Sequence, residues 1–404
     1  RTLFAEDAVD LIAESRKKRV AGRVLVFGDG VAGQLGLGED VTEKGRPAPI
    51  PGLDSVIEVA AGGMHTVCLT ADYKVITFGC NDEGALGRDT SEEGSEFNPA
   101  EVEVPGKVVD ICAGDSHTAA LLDNGTVYVW GTFRDSHGSM GLLSKSIEKK
   151  PVLVSTDVKI LKIASGSHHL MMLGADGQLY SCGCAEQGQL GRVSERGASR
   201  DCRKGLGPLL IPTLVPFSVH SKLHFDNVWT GSFSTFTREK HTGEIYVFGL
   251  NNYTQIGLDS GGVHFWPKMS KSFSGTNWVK ISGGEHHTVA MDSNGCVYTL
   301  GRKEYGRLGL GENSEDAKKP TKIESLGEKC LDVVCGSFVT FAIDREGKLY
   351  SWGMGSAQLG LGAEEDTFVP AQVKSKQLEG KTVVRVSSGG QHTVVIVTDG
   401  QLPS

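Results

Sequence analysis

The sequence predicts an all-β fold, a seven-bladed β-propeller of four-stranded antiparallel blades. Two short markers recur along the chain in one rhythm, and radial repetition of such a unit is typical of propellers. The first marker is a β-rich run that ends in an apolar residue and a glycine, and these glycines are Gly28, Gly79, Gly131, Gly183, Gly249, Gly301 and Gly353. The second marker has the form Gly-x-x-His-Thr or a variant of it, and it begins at Gly62, Gly114, Gly166, Gly231, Gly284, Gly336 and Gly389.

The spacing of the first marker gives the length of the repeat. Consecutive glycines lie 51, 52, 52, 66, 52 and 52 positions apart in the chain of 404 residues. One repeat therefore carries an insertion, and it falls around residues 192–208.

Four strands can be placed within one repeat. Residues 56–60, 66–69, 74–78 and 101–104 are rich in β-formers and are separated by turn residues. Other repeats place Asn-Gly or Asp-Gly between the second and third strands, and these pairs supply the backbone angles of a tight hairpin. Each repeat is thus expected to form one blade.

The two ends of the chain carry complementary halves of a repeat. The strand at 24–27 has no Gly-x-x-His marker before it, and the marker at 389–393 has no apolar-Gly strand after it. We therefore predict that N- and C-terminal strands share one blade and close the ring. The propeller is expected over residues 22–400. Residues 1–21 are expected to form a tail with a short helix, indicated by the spacing of apolar residues at 4–12, and a basic cluster.

The composition excludes several classes of function. The formal charge of −8 argues against nonspecific adhesion to nucleic acid. No apolar run reaches the roughly 20 residues that span a bilayer, so no membrane association is expected. The nine cysteines show no paired CxxC spacing, and no metal site is predicted.

The segment 28–33 spells Gly-x-Gly-x-x-Gly, but no helix pattern follows it, so it is a repeat turn without a cofactor. No paired carboxylates or nucleophile motif stands out, and no catalytic residue is expected.

Several stretches resemble the regulator of chromosome condensation family. The resemblance extends from about residue 22 to the end of the propeller, and it is carried by residues 59–69, 78–90, 113–121, 133–135, 283–288 and 304–311. It implies a guanine-nucleotide exchange factor for the small nuclear GTPase Ran, which works on chromatin without covalent catalysis. Such a factor stabilises the nucleotide-free GTPase, and by linkage nucleotide weakens its grip. The implied partners are Ran, the histone dimer of the nucleosome, DNA through the tail and a nuclear import receptor. The implied location is the nucleus.

The fourth position of the second marker forms a ring on one face of the predicted propeller. The ring consists of His65, His117, His169, Ser234, His287, Val339 and His392. A histidine that is hydrogen-bonded between blades would explain this recurrence. The resemblance instead ties Asp115, His287 and His392, with His65 next, to nucleotide exchange. The family often has acidic residues where this chain has Val31 and His168, so the roles of those positions are not carried over.

In several repeats the first marker is followed by a glycine-spaced turn of the form Gly-x-Leu-Gly, as at 33–36 and 84–87. Residues 132–141 replace this turn in their repeat. This segment is either an ordinary loop variant or, as the resemblance implies, a β-wedge that enters the GTPase. We favour the wedge because irregular loops on a regular scaffold often carry function. Its predicted contact residues are Phe133, Arg134, Asp135, Ser136 and His137.

Two basic segments lie outside the regular repeats. The insertion carries Arg196, Arg200 and Arg203, which the resemblance assigns to an acidic patch of the histone dimer, since guanidinium groups match carboxylates. The alternative is a solvated basic loop. The tail carries the cluster Arg16, Lys17, Lys18 and Arg19, which is either a DNA and import signal or a charged linker.

Two other classes of protein stay open. The chain could be a non-catalytic propeller that serves as an interaction module for another protein. It could also resemble the plant ultraviolet photoreceptor, which clusters tryptophans at a dimer interface. Its five tryptophans are, however, scattered through the repeats.

Overall fold

Seven four-stranded antiparallel sheets form a closed ring in the computed structural model, which describes residues 16, 18–217 and 223–400. In chain order the first strands are β1 (Arg23–Asp29), β2 (Glu43–Pro49), β3 (Val56–Ala61), β4 (His65–Thr70), β5 (Val75–Gly79), β6 (Ala100–Val102), β7 (Val108–Ala113), β8 (His117–Leu122), β9 (Val127–Gly131), β10 (Phe133–Asp135), β11 (Gly138–Gly141) and β12 (Glu148–Val154). The next strands are β13 (Ile160–Ser165), β14 (His169–Gly174), β15 (Leu179–Gly183), β16 (Thr213–Leu214), β17 (Phe225–Thr230), β18 (Ser234–Glu239), β19 (Ile245–Leu250) and β20 (Val263–Met269). The last are β21 (Trp278–Gly283), β22 (His287–Asp292), β23 (Val297–Gly301), β24 (Ala317–Lys322), β25 (Cys330–Cys335), β26 (Val339–Asp344), β27 (Leu349–Gly353), β28 (Thr367–Gln372), β29 (Thr382–Ser388) and β30 (His392–Thr398).

The blades follow the predicted repeats. Blades 1 to 6 are β3–β6, β7–β9 with β12, β13–β16, β17–β20, β21–β24 and β25–β28, and blade 7 has the order β2-β1-β30-β29. Hairpin β10–β11 forms a separate two-stranded sheet. Short helices lie in the loops, namely α1 (Glu195–Ala198), α2 (Gly207–Leu210) and the 3-10 turns Ser95–Phe97, Lys271–Phe273, Glu304–Gly306, Glu324–Leu326 and Ala357–Leu359. The seven-bladed fold is confirmed.

The ends of the chain close the ring as predicted. Strand β1 pairs antiparallel with β30, in a register that runs from Arg23 opposite Val397 to Gly28 opposite His392. The hydrogen bonds of a regular ladder therefore join the first and last strands, and blade 7 has no unpaired seam. The predicted helical spacing at 4–12 lies outside the described residues.

The core lies between blades, and the glycine-spaced turns complete it. A Cβ atom on Gly36 of blade 7 would come within 2.7 Å of the Phe78 ring in blade 1, and Gly87 of blade 1 meets Trp130 of blade 2 in the same way. Both glycines have positive φ, 63° and 68°. The final glycine of these two turns is therefore required twice, for its backbone angle and for the aromatic ring of the next blade.

No helix among the described residues is long and apolar enough to cross a membrane. The tryptophans do not form an exposed cluster, since Trp130, Trp229, Trp278 and Trp352 are buried. This burial gives the photoreceptor-like alternative no support.

Candidate functional site

Five histidines of the second marker bond to the neighbouring blade. Each is at most 1 % exposed. The Nε2 contacts are His65 to Thr118 Oγ1 at 2.9 Å, His117 to Ser165 Oγ at 3.1 Å, His169 to Thr235 Oγ1 at 3.0 Å, His287 to Thr340 Oγ1 at 2.8 Å and His392 to Thr66 Oγ1 at 2.7 Å. The interpretation of these residues as histidines hydrogen-bonded between blades is confirmed.

The threonine partners determine which ring nitrogen of the histidine carries the proton. Thr118 Oγ1 donates to the Ala85 carbonyl at 2.9 Å, and Thr340 Oγ1 donates to the Arg307 carbonyl at 3.1 Å. A hydroxyl has one hydrogen, so it must accept its second bond from an Nε2–H. The proton of these imidazoles is therefore on Nε2, and burial keeps Nδ1 from taking a second one. Burial lowers their pKa values, to about 4 for His65 and about 3 for His287.

The first glycine of the marker is required by the imidazole. A Cβ on Gly62 would lie 2.2 Å from His65 Cε1 and 2.6 Å from the Gly114 carbonyl oxygen. Gly114, Gly166 and Gly284 face their own histidines in the same way. The marker thus has two structural roles. Its histidine supplies an imidazole nitrogen that bonds to the next blade, and its first glycine leaves room for that imidazole.

We predict that Gly62→Ala destabilises the protein by about 3 kcal/mol, because the added methyl group displaces the His65 ring and weakens its bond to blade 2. Urea unfolding followed by tryptophan fluorescence measures the change. Gly207→Ala is the matched control, since a Cβ there would meet no atom within 4 Å. Equal stability of the two variants would contradict this account of the marker.

The turns that carry the marker form a ring of backbone bonds at one mouth of the central channel. Asp115 N donates to Ser167 O at 2.8 Å, Ser167 N donates to Ser232 O at 3.0 Å, and Glu285 N donates to Ser337 O at 3.2 Å. The loops between the third and fourth strands lie on the same face, because His117 at the start of β8 pairs with Gly131 at the end of β9. We call this side of the ring the turn face.

Asp115 is the acidic side chain on the turn face that the sequence singled out, and it is 46 % exposed. Its Oδ2 lies 3.3 Å from His168 Nε2 of blade 3. Desolvation raises the pKa of Asp115, against the influence of His168 and a hydrogen bond from Ser167. His168 is therefore part of the same site, although the sequence analysis did not carry a functional role over to this position. Val31 is exposed.

The predicted wedge is the hairpin β10–β11, and it is fastened to three blades. Phe133 is buried and packs on the His117 ring at a centroid distance of 4.7 Å. Arg134 forms an ion pair with Glu83 in the turn of blade 1. Ser136 donates from its backbone N and its Oγ to Glu186 of blade 3, at 3.0 and 2.6 Å. The hairpin is thus held on both sides.

A buried ion pair clamps the wedge beside its turn, where Asp135 pairs with Gly138. The Asp135 side chain is only 2 % exposed. It accepts Arg200 Nε at 2.9 Å and Nη2 at 2.7 Å, and it also accepts the backbone N of His137 at 2.9 Å. Arg200 donates further to the Ser139 carbonyl at 3.0 Å. The sequence placed Asp135 and Arg200 in two different sites, whereas they contact each other directly.

The remaining arginines of the insertion divide into two kinds. Arg192 is structural, since its Nη2 donates to the Pro208 and Ile211 carbonyls at 3.0 and 3.2 Å. Arg196 and Arg203 are exposed. Of the residues predicted for the histone contact, these two present their guanidinium groups to solvent, and their role stays a prediction.

Two residues of the basic tail enter the opposite mouth of the channel, whose volume is about 710 Å³. Arg19 Nε lies 3.2 Å from Glu58 Oε2, and its Nη2 lies 3.0 Å from Asp110 Oδ1. Arg16 Nη2 donates to the Leu161 carbonyl at 2.9 Å. Lys18 is exposed, and Lys17 lies outside the described residues. The predicted DNA and import cluster is therefore partly held by the propeller itself.

The second marker joins neighbouring blades through its histidines, and the glycine-spaced turns pack on the next blade. A propeller whose blades are joined in this way belongs to a recognisable class. The family model of the RCC1-like domain matches residues 23–395 of the chain, which belongs to that family. The chain is 49 % identical over 405 residues to the regulator of chromosome condensation of Homo sapiens, covering 96 % of each protein. It is 30 % identical to the guanine nucleotide exchange factor SRM1 of Saccharomyces cerevisiae, covering 92 % of this chain and 86 % of that protein.

A solved structure agrees with the fold. Prp20p of Saccharomyces cerevisiae matches with a TM-score of 0.86 at 29 % identity, covering 97 % of this chain and 95 % of that chain. That structure was described with the binding properties of Prp20p toward Gsp1p and histones. The same yeast protein bound to Kap60 matches with a TM-score of 0.86 at 29 % identity, covering 96 % of this chain and 92 % of that chain.

Proposed function

We propose that this chain is a guanine-nucleotide exchange factor for the GTPase Ran, and that the turn face is its GTPase-binding surface. The observation that carries the proposal is the hairpin β10–β11, which replaces a repeat turn and is braced by Glu83, Glu186 and Arg200. The names of the relatives support the exchange activity.

The mechanism needs a rigid element and no covalent chemistry. A hairpin held before binding loses little conformational freedom when it enters a partner, so its contacts can be used to open the nucleotide site. Arg134 and His137 are about half exposed on the wedge, and Asp115 is exposed beside it. We assign the direct contacts to these side chains. His65, His287 and His392 are buried, and we assign them to positioning of the turns.

The same proposal includes chromatin. We assign the histone contact to Arg196 and Arg203, whose exposed guanidinium groups suit carboxylates. DNA and the import receptor are assigned to the basic tail, with Lys18 accessible and Arg16 and Arg19 released from the channel on binding. The expected location is the nucleus, on chromatin. Support comes from the yeast relative described with histones and with Kap60.

The test is release of fluorescent GDP from purified Ran with and without this chain. We expect strong acceleration, and we expect Asp115→Ala to reduce it at least about tenfold, since one charge-assisted contact is worth about 1.5–3 kcal/mol. Asp123→Ala is the matched control, because Asp123 is an exposed carboxylate in a turn on the opposite face. A folded chain that does not accelerate release would instead leave a non-catalytic interaction module.

A further inference from the structure

Arg307 lies in the turn between β23 and β24, on the turn face, and it is fully buried. Its guanidinium carbon lies 5.3 Å from the centre of the Tyr305 ring and 5.2 Å from that of Phe338 in blade 6. Its Nε donates to the Glu304 carbonyl at 2.8 Å. Neither Nη1 nor Nη2 has a hydrogen-bond partner within the described parts of the chain.

The scaffold does not need a positive charge at this position. The corresponding residue of the other glycine-spaced turns is an uncharged side chain, namely Gln34, Ala85, Gln189, Gln255 and Gln358. The structural task of Arg307 belongs to its backbone, whose carbonyl accepts Thr340 Oγ1 and Trp352 Nε1, both at 3.1 Å. Any residue could supply that carbonyl. The guanidinium therefore has a purpose that the repeat does not explain.

Burial of this guanidinium is energetically costly. A buried donor without an acceptor costs about 1–3 kcal/mol, and more when it is charged. Desolvation lowers the pKa of Arg307. Burial lowers the pKa of His287, and the Arg307 charge lowers it further. The same charge opposes the desolvation that raises the pKa of Glu285, but neither side chain bonds to the Nη atoms of Arg307. A ligand that supplied two acceptors would remove this cost.

The aromatic cover of Arg307 is strained. Tyr305 is 42 % exposed and has a φ of 61°, which is an unfavourable backbone angle for a bulky residue. The next residue, Gly306, also has a positive φ, 72°. Local strain of this kind persists where the surroundings impose it and is concentrated at binding sites and switches. The half-exposed Tyr305 ring lies over the buried guanidinium, so displacing this one side chain would open Arg307 to a ligand.

We propose that Arg307 is the anchor of a carboxylate-binding site on the turn face, filled by an aspartate or glutamate side chain of the bound GTPase. The site opens when Tyr305 is displaced. The planar guanidinium offers two parallel N–H donors to a carboxylate. A phosphate dianion fits less well, because the negative charge of Glu285 is close enough to act on Arg307 and would repel two added charges more than one. This inference rests on the proposed exchange function.

The test is Arg307→Gln, which installs the residue that four other turns carry. We expect unchanged or higher thermal stability, because a buried charge is removed, and about a tenfold weaker affinity for nucleotide-free Ran. Arg302→Gln is the control, since it removes the same charge from an arginine of the same loop that is already paired with Glu304. It is expected to change affinity less than about threefold.

The second measurement identifies the ligand. Each exposed Asp and Glu of Ran is changed to its amide, and binding is compared for the unsubstituted chain and for Arg307→Gln. One amide variant is expected to weaken binding to the unsubstituted chain and to have no effect on Arg307→Gln. Full affinity of Arg307→Gln, or additive effects for every amide variant, would overturn the carboxylate site while leaving the exchange function intact. Failure of the unsubstituted chain to bind Ran would overturn both proposals.

Discussion

Replacing Arg200 with alanine is expected to lower the exchange rate about a hundredfold while the propeller stays folded. The Asp135 carboxylate, 2 % exposed, would lose both guanidinium bonds and keep the backbone N of His137. Breaking a buried ion pair costs about 3–5 kcal/mol, because the remaining charge is left without a partner. A hundredfold change corresponds to about 2.8 kcal/mol.

The damage is expected to stay local. Hairpin β10–β11 is a two-stranded sheet with no ladder to a blade, and such hairpins are marginal without side-chain support. The wedge would therefore lose its fixed geometry before any blade unfolds. Release of fluorescent GDP from Ran gives the rate, and thermal unfolding of the variant checks the propeller.

Two further variants separate the clamp from a general effect of charge. Arg196→Ala removes an exposed arginine of the same insertion and is expected to leave exchange unchanged. Asp135→Asn in the Arg200→Ala background removes the stranded charge and is expected to restore part of the rate. Unchanged exchange in Arg200→Ala would show that the wedge does not depend on the clamp. If Arg200 acts only in histone binding, Arg200→Ala and Arg196→Ala would behave alike in both assays.

The fold could be predicted because the residues of the markers make the contacts between neighbouring blades. Gly62 and His65 recur because each imidazole bonds to the next blade and leaves no room for a Cβ. Gly36 recurs because an aromatic ring of the next blade lies against it. Contacts that repeat in every blade produce a periodic pattern in the sequence. Ring closure could be predicted because each end of the chain carries only half of a repeat.

The candidate site could be predicted less well from the sequence, because its contacts do not repeat from blade to blade. Asp135 and Arg200 are 65 residues apart, and neither position has a counterpart in other blades from which pairing could be inferred. The same holds for Arg19 and Asp110, which lie 91 residues apart. The position of His168 could be read from the sequence, because it lies in the second marker directly before His169. Its pairing with Asp115 could not, because that depends on the distance between neighbouring turns. Arg307 did leave a signal, an arginine where four other turns have glutamine.

Mild acid is expected to unfold the protein, because the marker histidines are neutral and buried in the native state. Burial lowers the pKa to about 4 for His65, to about 3 for His169, His287 and His392, and well below the ordinary value for His117. In the unfolded chain each of the five titrates near pH 6.5. The unfolded state therefore binds more protons below that pH, and stability falls as the pH falls.

The expected size of the effect is comparable to the whole stability of a domain. A histidine with an unfolded pKa near 6.5 and a much lower native value costs about 1.4 kcal/mol at pH 5.5, so five cost about 7 kcal/mol. Native domains are stable by about 5–15 kcal/mol. The contribution is fully present above about pH 7 and is lost progressively between pH 6.5 and the native values near 3 to 4.

Urea unfolding at intervals between pH 7.5 and 5 measures this dependence. The matched variant is His169→Ser, which places in blade 3 the residue that blade 4 carries as Ser234. It is expected to be less stable at pH 7.5, because the bond to Thr235 is lost, but to lose stability with pH less steeply, by about one proton. A slope unchanged by His169→Ser would mean that this imidazole is not neutral in the native ring. Stability that is flat down to pH 5.5 would contradict neutral, buried imidazoles at all five marker positions.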